Sequence, residues 1–286
     1  MKNIIVLVAI IFLCQCKKDP ETPYSNENIV LDNAQAALYF HTIFCEAENA
    51  WAFIDSLDYK DGKYPLKENR LTIYKELTYD QSTKMATIEY SSWETNFLNL
   101  YGTVRVRLEV NSYRREGKVA NVFLDDLSIN GQRVAGQAAI KFLKKVEDKD
   151  KEVEAKDTYS FTLLEGAVIH EYGHSMPVLI SCTISNGGQY ERITGNKTLG
   201  KSDDVWVYSG VMTGMLRNDP NLKYTNTVLT TYEDNKGEKI DGKIYFTNDC
   251  ITAKKGTSEI KIAKRPNIVF WYNCKECIFG SVTHID

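Results

Sequence analysis

His170-Glu-Tyr-Gly-His174 is the stretch of this chain whose residue types and spacing spell a reaction. On a helix, residues four apart share a face, so both imidazoles would reach one zinc ion while the glutamate between them activated a bound water. His170 and His174 would be the ligands and Glu171 the general base of a zinc-assisted hydrolysis. The chain has only 4 histidines, so two at this spacing around a glutamate invite a serious weighing.

The surrounding AVIHEYGHSM resembles the signature of zinc metallopeptidases, yet the local pattern opposes the helix that such a site needs. Tyr159, Phe161 and Leu163 alternate before it, Gly166 interrupts a helix, and Pro177 follows three residues after His174. The next stretch, VLISCTI, reads as another strand, so the motif sits where a hairpin connection belongs. Ile180 stands where one zincin class would have its third histidine, and Pro177 where that class has glycine. Glu191 is the candidate third ligand by distance along the chain, but YERITG around it also reads as a strand. Solvent-exposed histidines in a turn are therefore the expectation, with no cofactor, and a zinc peptidase is the alternative.

Other chemistries have weaker support. Ser181, Ser185 and Ser209 lack a nucleophile elbow, and no phosphate loop occurs. Asp125-Asp126 and Asp203-Asp204 lie at strand ends, where paired acids serve as turn caps. Cys274-Lys-Glu-Cys277 follows an apparent strand, not the helix opening that a redox pair uses. A zinc ribbon would want a second such pair, and only Cys250 is near. A disulfide joining Cys250 to Cys274 or Cys277 is the plainer expectation for an exported chain. Outside the N-terminal segment the cysteines number five, with Cys45 and Cys182, so at least one thiol stays unpaired within the chain.

The N-terminus states a location. Lys2, the apolar run through Leu13, and Leu13-Cys14-Gln15-Cys16 read as a secretory signal too short to span a bilayer. It resembles a bacterial lipoprotein signal, which implies acylation of a cysteine and removal of what precedes it. Cys16 is the expected acceptor ahead of Cys14, because Lys17, Lys18 and Asp19 follow it at once. Residues 17–31 are polar, carry Pro20 and Pro23, and read as a flexible spacer.

Asp32 then sits where an N-cap belongs, and Ala37, Phe40, Phe44, Ala47, Trp51 and Ile54 recur at spacings of three and four. That predicts one amphipathic helix over 33–55, with Glu46, Glu48 and Asn49 off its apolar stripe and His41 near the stripe's edge as a partly buried structural histidine. After Asp58 the period turns to two. Strands are predicted at 70–79, 85–91, 103–111, 119–129, 133–143, 158–169, 178–185, 189–198, 205–216, 223–231, 239–247, 258–263, 267–272 and 278–285. Short intervening turns such as Asn130-Gly131 and Asp241-Gly242 leave no room for crossover helices, so the pairing is antiparallel.

The charged run KKVEDKDKEVEAKD interrupts the strands and reads as an exposed hairpin extension. The expected organisation is a signal peptide at 1–16, a spacer at 17–31, a helix and first β-half at 32–145, a connector at 146–156 and a second β-half at 157–286. The fold class is mainly β: an N-terminal helix packed on an extended antiparallel sheet system of meander or sandwich-like halves.

Three groups of residues carry a further resemblance. They are Thr87-Ile-Glu-Tyr90 with Tyr101-Gly-Thr-Val-Arg-Val106, Leu127-Ser-Ile-Asn-Gly131 with Val134-Ala-Gly136, and Tyr208-Ser-Gly-Val-Met-Thr-Gly214 with Asn218 and Tyr224. These resemble the strand-glycine-strand units of β-rich exported lipoproteins of the Bacteroidota, and the run from Cys250 through Gly256 to Cys277 is similar to their closing unit. The resemblance covers roughly residues 70–286 and implies an outer-membrane lipoprotein, displayed at the surface through Lys17, Lys18, Asp19 and Glu21. It carries over no catalytic residue.

The formal net charge is -3, with acids and bases interleaved and no basic stripe, which excludes nucleic acid as a partner. The chain has 17 tyrosines and 4 tryptophans, which would suit stacking on sugar faces. The expectation is a lipid-anchored, non-enzymatic cell-envelope protein whose partners are the membrane and a glycan or another envelope protein.

Overall fold

The computed structural model describes residues 25–66, 75–95, 98–146, 156–169, 175–186, 205–216, 219–229, 231–233, 237, 239–247, 255–273 and 282–285. Among them one helix, α1 (Asn26–Ser56), precedes sixteen strands. Ser25 is its cap, the side chain accepting from the Asn28 N–H at 3.3 Å. The helix thus begins at Asn26 and not at residue 33, and takes in residues 26–31 that read as spacer. Nothing between Ser25 and Asp32 breaks a helix, and Ile29 and Val30 add a fully packed turn at 0% and 2% exposure. Asp32, the expected cap, lies inside the helix and is buried.

The first strands are β1 (Gly62–Leu66), β2 (Lys75–Asp80), β3 (Met85–Thr95), β4 (Leu98–Arg107), β5 (Val119–Ile129), β6 (Gln132–Val146), β7 (Lys156–Ile169) and β8 (Ser175–Asn186). They continue as β9 (Val205–Leu216), β10 (Asp219–Val228), β11 (Thr231–Glu233), β12 (Lys239–Asp241), β13 (Ile244–Thr247), β14 (Lys255–Ile262), β15 (Ile268–Asn273) and β16 (Val282–Ile285). Fourteen form one antiparallel sheet in which β1 to β10 are neighbours in sequence order, followed by β14, β15 and β16. β11 and β12 pair separately.

The mainly β, antiparallel expectation holds, and several boundaries differ. β1 was not expected, since five residues containing Pro65 carry too short a period. The stretch read as one strand over 239–247 is two, β12 and β13, parted at Gly242. The predicted strand at 189–198 lies outside the described residues. β6 and β7, on either side of the charged run, pair from Arg133↔Ile169 to Val146↔Lys156, so the sheet runs on across that point.

The sheet bends along a line. Ladder shifts fall between Tyr101 and Val104 of β4, between Leu124 and Leu127 of β5, and between Leu163 and Gly166 of β7. On that line Gly102 has φ +106° and Gly136 has φ +140°. A Cβ at Gly136 would lie 1.9 Å from the Glu165 carbonyl oxygen, and Gly136 itself pairs with Gly166. Strands approach closely and turn sharply where the side chains are missing.

Bent in this way, the sheet curls around α1, which lies against β3, β4, β5, β6 and β16. Burial therefore extends beyond the predicted stripe: Glu46 and Glu48 are 8% and 1% exposed. Phe44 meets Tyr159, Phe161 and Trp206 edge-on at centroid distances of 5.5, 5.9 and 5.2 Å. Trp51, fully buried, donates its Nε1–H to Ser112 Oγ at 3.0 Å. A helix covered nearly all round is a core element, not a surface one.

Candidate functional site

Two polar arrangements interrupt this core. The first holds α1 in place: Glu46 pairs with the Lys75 ammonium and accepts from the Tyr90 hydroxyl at 2.6 Å. Two residues on, Glu48 accepts from Tyr113 and, at 3.2 Å, from Tyr159. Burial first, and the Glu48 carboxylate second, push both hydroxyls up, so they stay protonated and donate. Every carboxylate here has partners within the chain, which makes the arrangement structural.

The second is a pocket between α1 and the far part of the sheet. Phe40, Phe161, Met212 and Phe246 form apolar walls around about 510 Å³, counted out to the open side. The pocket lies against a break in the sheet. The lane between β9 and β14 is filled by β10 as far as Val228 and resumes with β13 at Ile244, and both residues line the pocket. Backbone bonds seal the gap: Leu229 N–H donates to Thr257 O at 3.0 Å, and Thr257 N–H to Gly242 O at 2.8 Å.

Four polar side chains line this apolar space: His41, Tyr208, Asn226 and Tyr272. The His41 ring stacks on Phe246 at 4.2 Å, and its Nδ1 shares a hydrogen bond with the Tyr208 hydroxyl. Cys45 Sγ lies 3.7 Å from the same ring. Burial pushes the imidazole down to about 3, so it is neutral at physiological pH. Burial likewise holds the Tyr272 phenol protonated. Asn226 and Tyr272 are 4% and 5% exposed, and neither Asn226 Oδ1 nor the Tyr272 hydroxyl has a hydrogen-bond partner. On β14, the strand between theirs, Ser258 Oγ likewise has no partner at 0% exposure, outside the pocket lining. Buried polar atoms are paired almost without exception, so the two on lining residues call for a cause.

A pH dependence follows from His41. Its folded value lies below its ordinary 6.5, so it contributes stability above that pH, lost progressively as pH falls toward 3. His41→Gln removes the titration. The stability advantage of wild type over this variant is expected to shrink by about 3 kcal/mol between pH 7 and pH 4, read from urea unfolding. An advantage unchanged across that range would mean that the ring is solvated.

The residues singled out from the sequence fall elsewhere. His170, Glu171, His174 and Glu191 lie outside the described residues, as do Cys16, Cys250, Cys274 and Cys277. Residues 164–169 and 175–176, where a zinc site would need helix, are strand, and Ile169 pairs with Ser175 on either side of the motif. Among the described residues, no group of three or more His, Cys, Asp or Glu could hold a metal ion. Among them too, no helix is long and apolar enough to cross a membrane.

No family model, curated protein or solved structure matches this chain. The pocket must accordingly be judged on its own chemistry. Sequence reasoning found His41 only as a structural residue and passed over Asn226 and Tyr272. Around Asn226, KYTNTVL has polar or aromatic residues at both parities, so alternation does not tell which face is inward.

Proposed function

We propose that the protein is a lipid-anchored, non-enzymatic binding protein of the bacterial cell envelope, which holds a small apolar ligand between its helix and its curled sheet. The observation that carries this is the pocket against the sheet break, with apolar walls and buried polar atoms left for something else to satisfy. The anchor is the expected acylation of Cys16. In the likeness to Bacteroidota lipoproteins, it would sit in the outer membrane, presenting the sheet to an envelope partner or a glycan.

Both parts have direct tests. In cells, Cys16→Ala is expected to move the protein from the membrane pellet to the soluble fraction, and retention in the pellet would refute the anchor. For the pocket, the purified chain without residues 1–16 is titrated with an apolar fluorophore beside Ala37→Phe, which fills the lining from the helix. Saturable binding that is lost in a folded Ala37→Phe protein supports a ligand site, and no binding by wild type refutes it.

A zinc peptidase at His170, Glu171 and His174 is kept apart by metal content. We expect well under one zinc per chain at micromolar supply, with no change in His170→Ala, His174→Ala. Stoichiometric zinc lost in that variant would replace a binding function with hydrolysis.

A further inference from the structure

We propose that the pocket selects a neutral amphiphile carrying a hydrogen-bond donor, such as a hydroxyl or an amide N–H, on an alkyl body, and rejects the corresponding carboxylate. This rests on the pocket being a ligand site, as argued above.

The chemistry of the inner wall makes the choice. Asn226 and Tyr272 line the pocket from β10 and β15, and Ser258 is buried on β14 between them. Asn226 pairs with Ile260 and Val228 with Ser258, while Ser258 pairs with Phe270 and Tyr272 with Gly256. Each is thus a diagonal neighbour of the next on one face of the sheet, about 7–8 Å on, so Asn226 and Tyr272 offer separate points for a polar head group. Asn226 Oδ1 can only accept, and the hydroxyls of Ser258 and Tyr272 can accept or donate. A donor on the ligand satisfies the Asn226 oxygen.

A carboxylate would fare differently. None of the described lining residues is Lys, Arg, Asp or Glu, and His41 is held neutral by its surroundings. An anion brought here would lose its hydration, meet no cation, and face the Asn226 oxygen. The apolar walls account for the alkyl part, since Phe40, Phe161, Met212 and Phe246 offer only dispersion and exclusion of water.

The test uses three probes of matched length on the purified chain without residues 1–16. They are n-octanol, octanoate at pH 7.5, and 1-methoxyheptane, which keeps the oxygen but has no donor. Calorimetric titration is expected to show octanol binding about tenfold or more tightly than either of the others. Asn226→Leu is expected to bring octanol down to the ether's level while leaving the ether unchanged. Tyr272→Phe, which removes one oxygen and nothing else, is expected to leave the octanol preference standing, since the head group sits at Asn226. Octanoate or the ether binding as well as octanol would overturn the donor preference and leave the apolar site standing. Binding of none of the three would overturn both.

Discussion

Glu46→Ala is expected to lower the free energy of unfolding by about 3–5 kcal/mol, because it leaves a buried ammonium without its carboxylate. Lys75 and Glu46 side chains are 11% and 10% exposed, so water screens neither. The Tyr90 hydroxyl, fully committed to Glu46, would also lose its acceptor. The pair ties the middle of α1 to β2, near the start of the sheet, and its loss should loosen that edge first. Urea unfolding followed by circular dichroism reads the effect. The double variant Glu46→Leu, Lys75→Met is expected to recover most of the loss, since an apolar pair of similar volume needs no desolvation of charge. A loss under about 1 kcal/mol in Glu46→Ala would mean that Lys75 swings out to solvent and that the pair is a surface contact.

Gly136→Val is expected to be as damaging, at about 4 kcal/mol or more, and to reduce the yield of folded protein. Two costs coincide there. The backbone sits at φ +140°, which L side chains rarely adopt, and a Cβ would lie 1.9 Å from the Glu165 oxygen on β7. Neither can relax without parting β6 from β7 at the bend. Gly131 is the control: its φ is +78°, but nothing lies within 4 Å of its Cβ position, so Gly131→Ala should cost about 1 kcal/mol. Equal effects at the two positions would show that backbone conformation alone matters and that the close approach at the bend does not.

These two positions also mark where sequence reasoning stopped. The alternation of Val104, Val106 and Leu108, all fully buried, was legible because a half-buried strand writes its period directly. So was the Asn130-Gly131 turn, whose residues have φ +51° and +78° and join β5 to β6. Gly102 and Gly136 were noticed as recurring units, but a sequence does not say that the glycines of β4 and β6 meet the ladder shifts of β5 and β7 along one line. Glu46 and Glu48 looked solvent-facing for the same reason: their burial depends on strands that arrive from far along the chain.

The sequence by itself determined local matters: the helix, many short strands, antiparallel order and the turns between them. Each is set by residues within a few positions of one another, where propensity and periodicity act. Tertiary structure alone decided that the sheet curls around the helix, that β10 gives way to β13 beside β9, and that His41, Asn226 and Tyr272 face one apolar space. Those three lie on elements far apart in the chain. Only the register of the intervening strands, multiplied by their bends, brings them together.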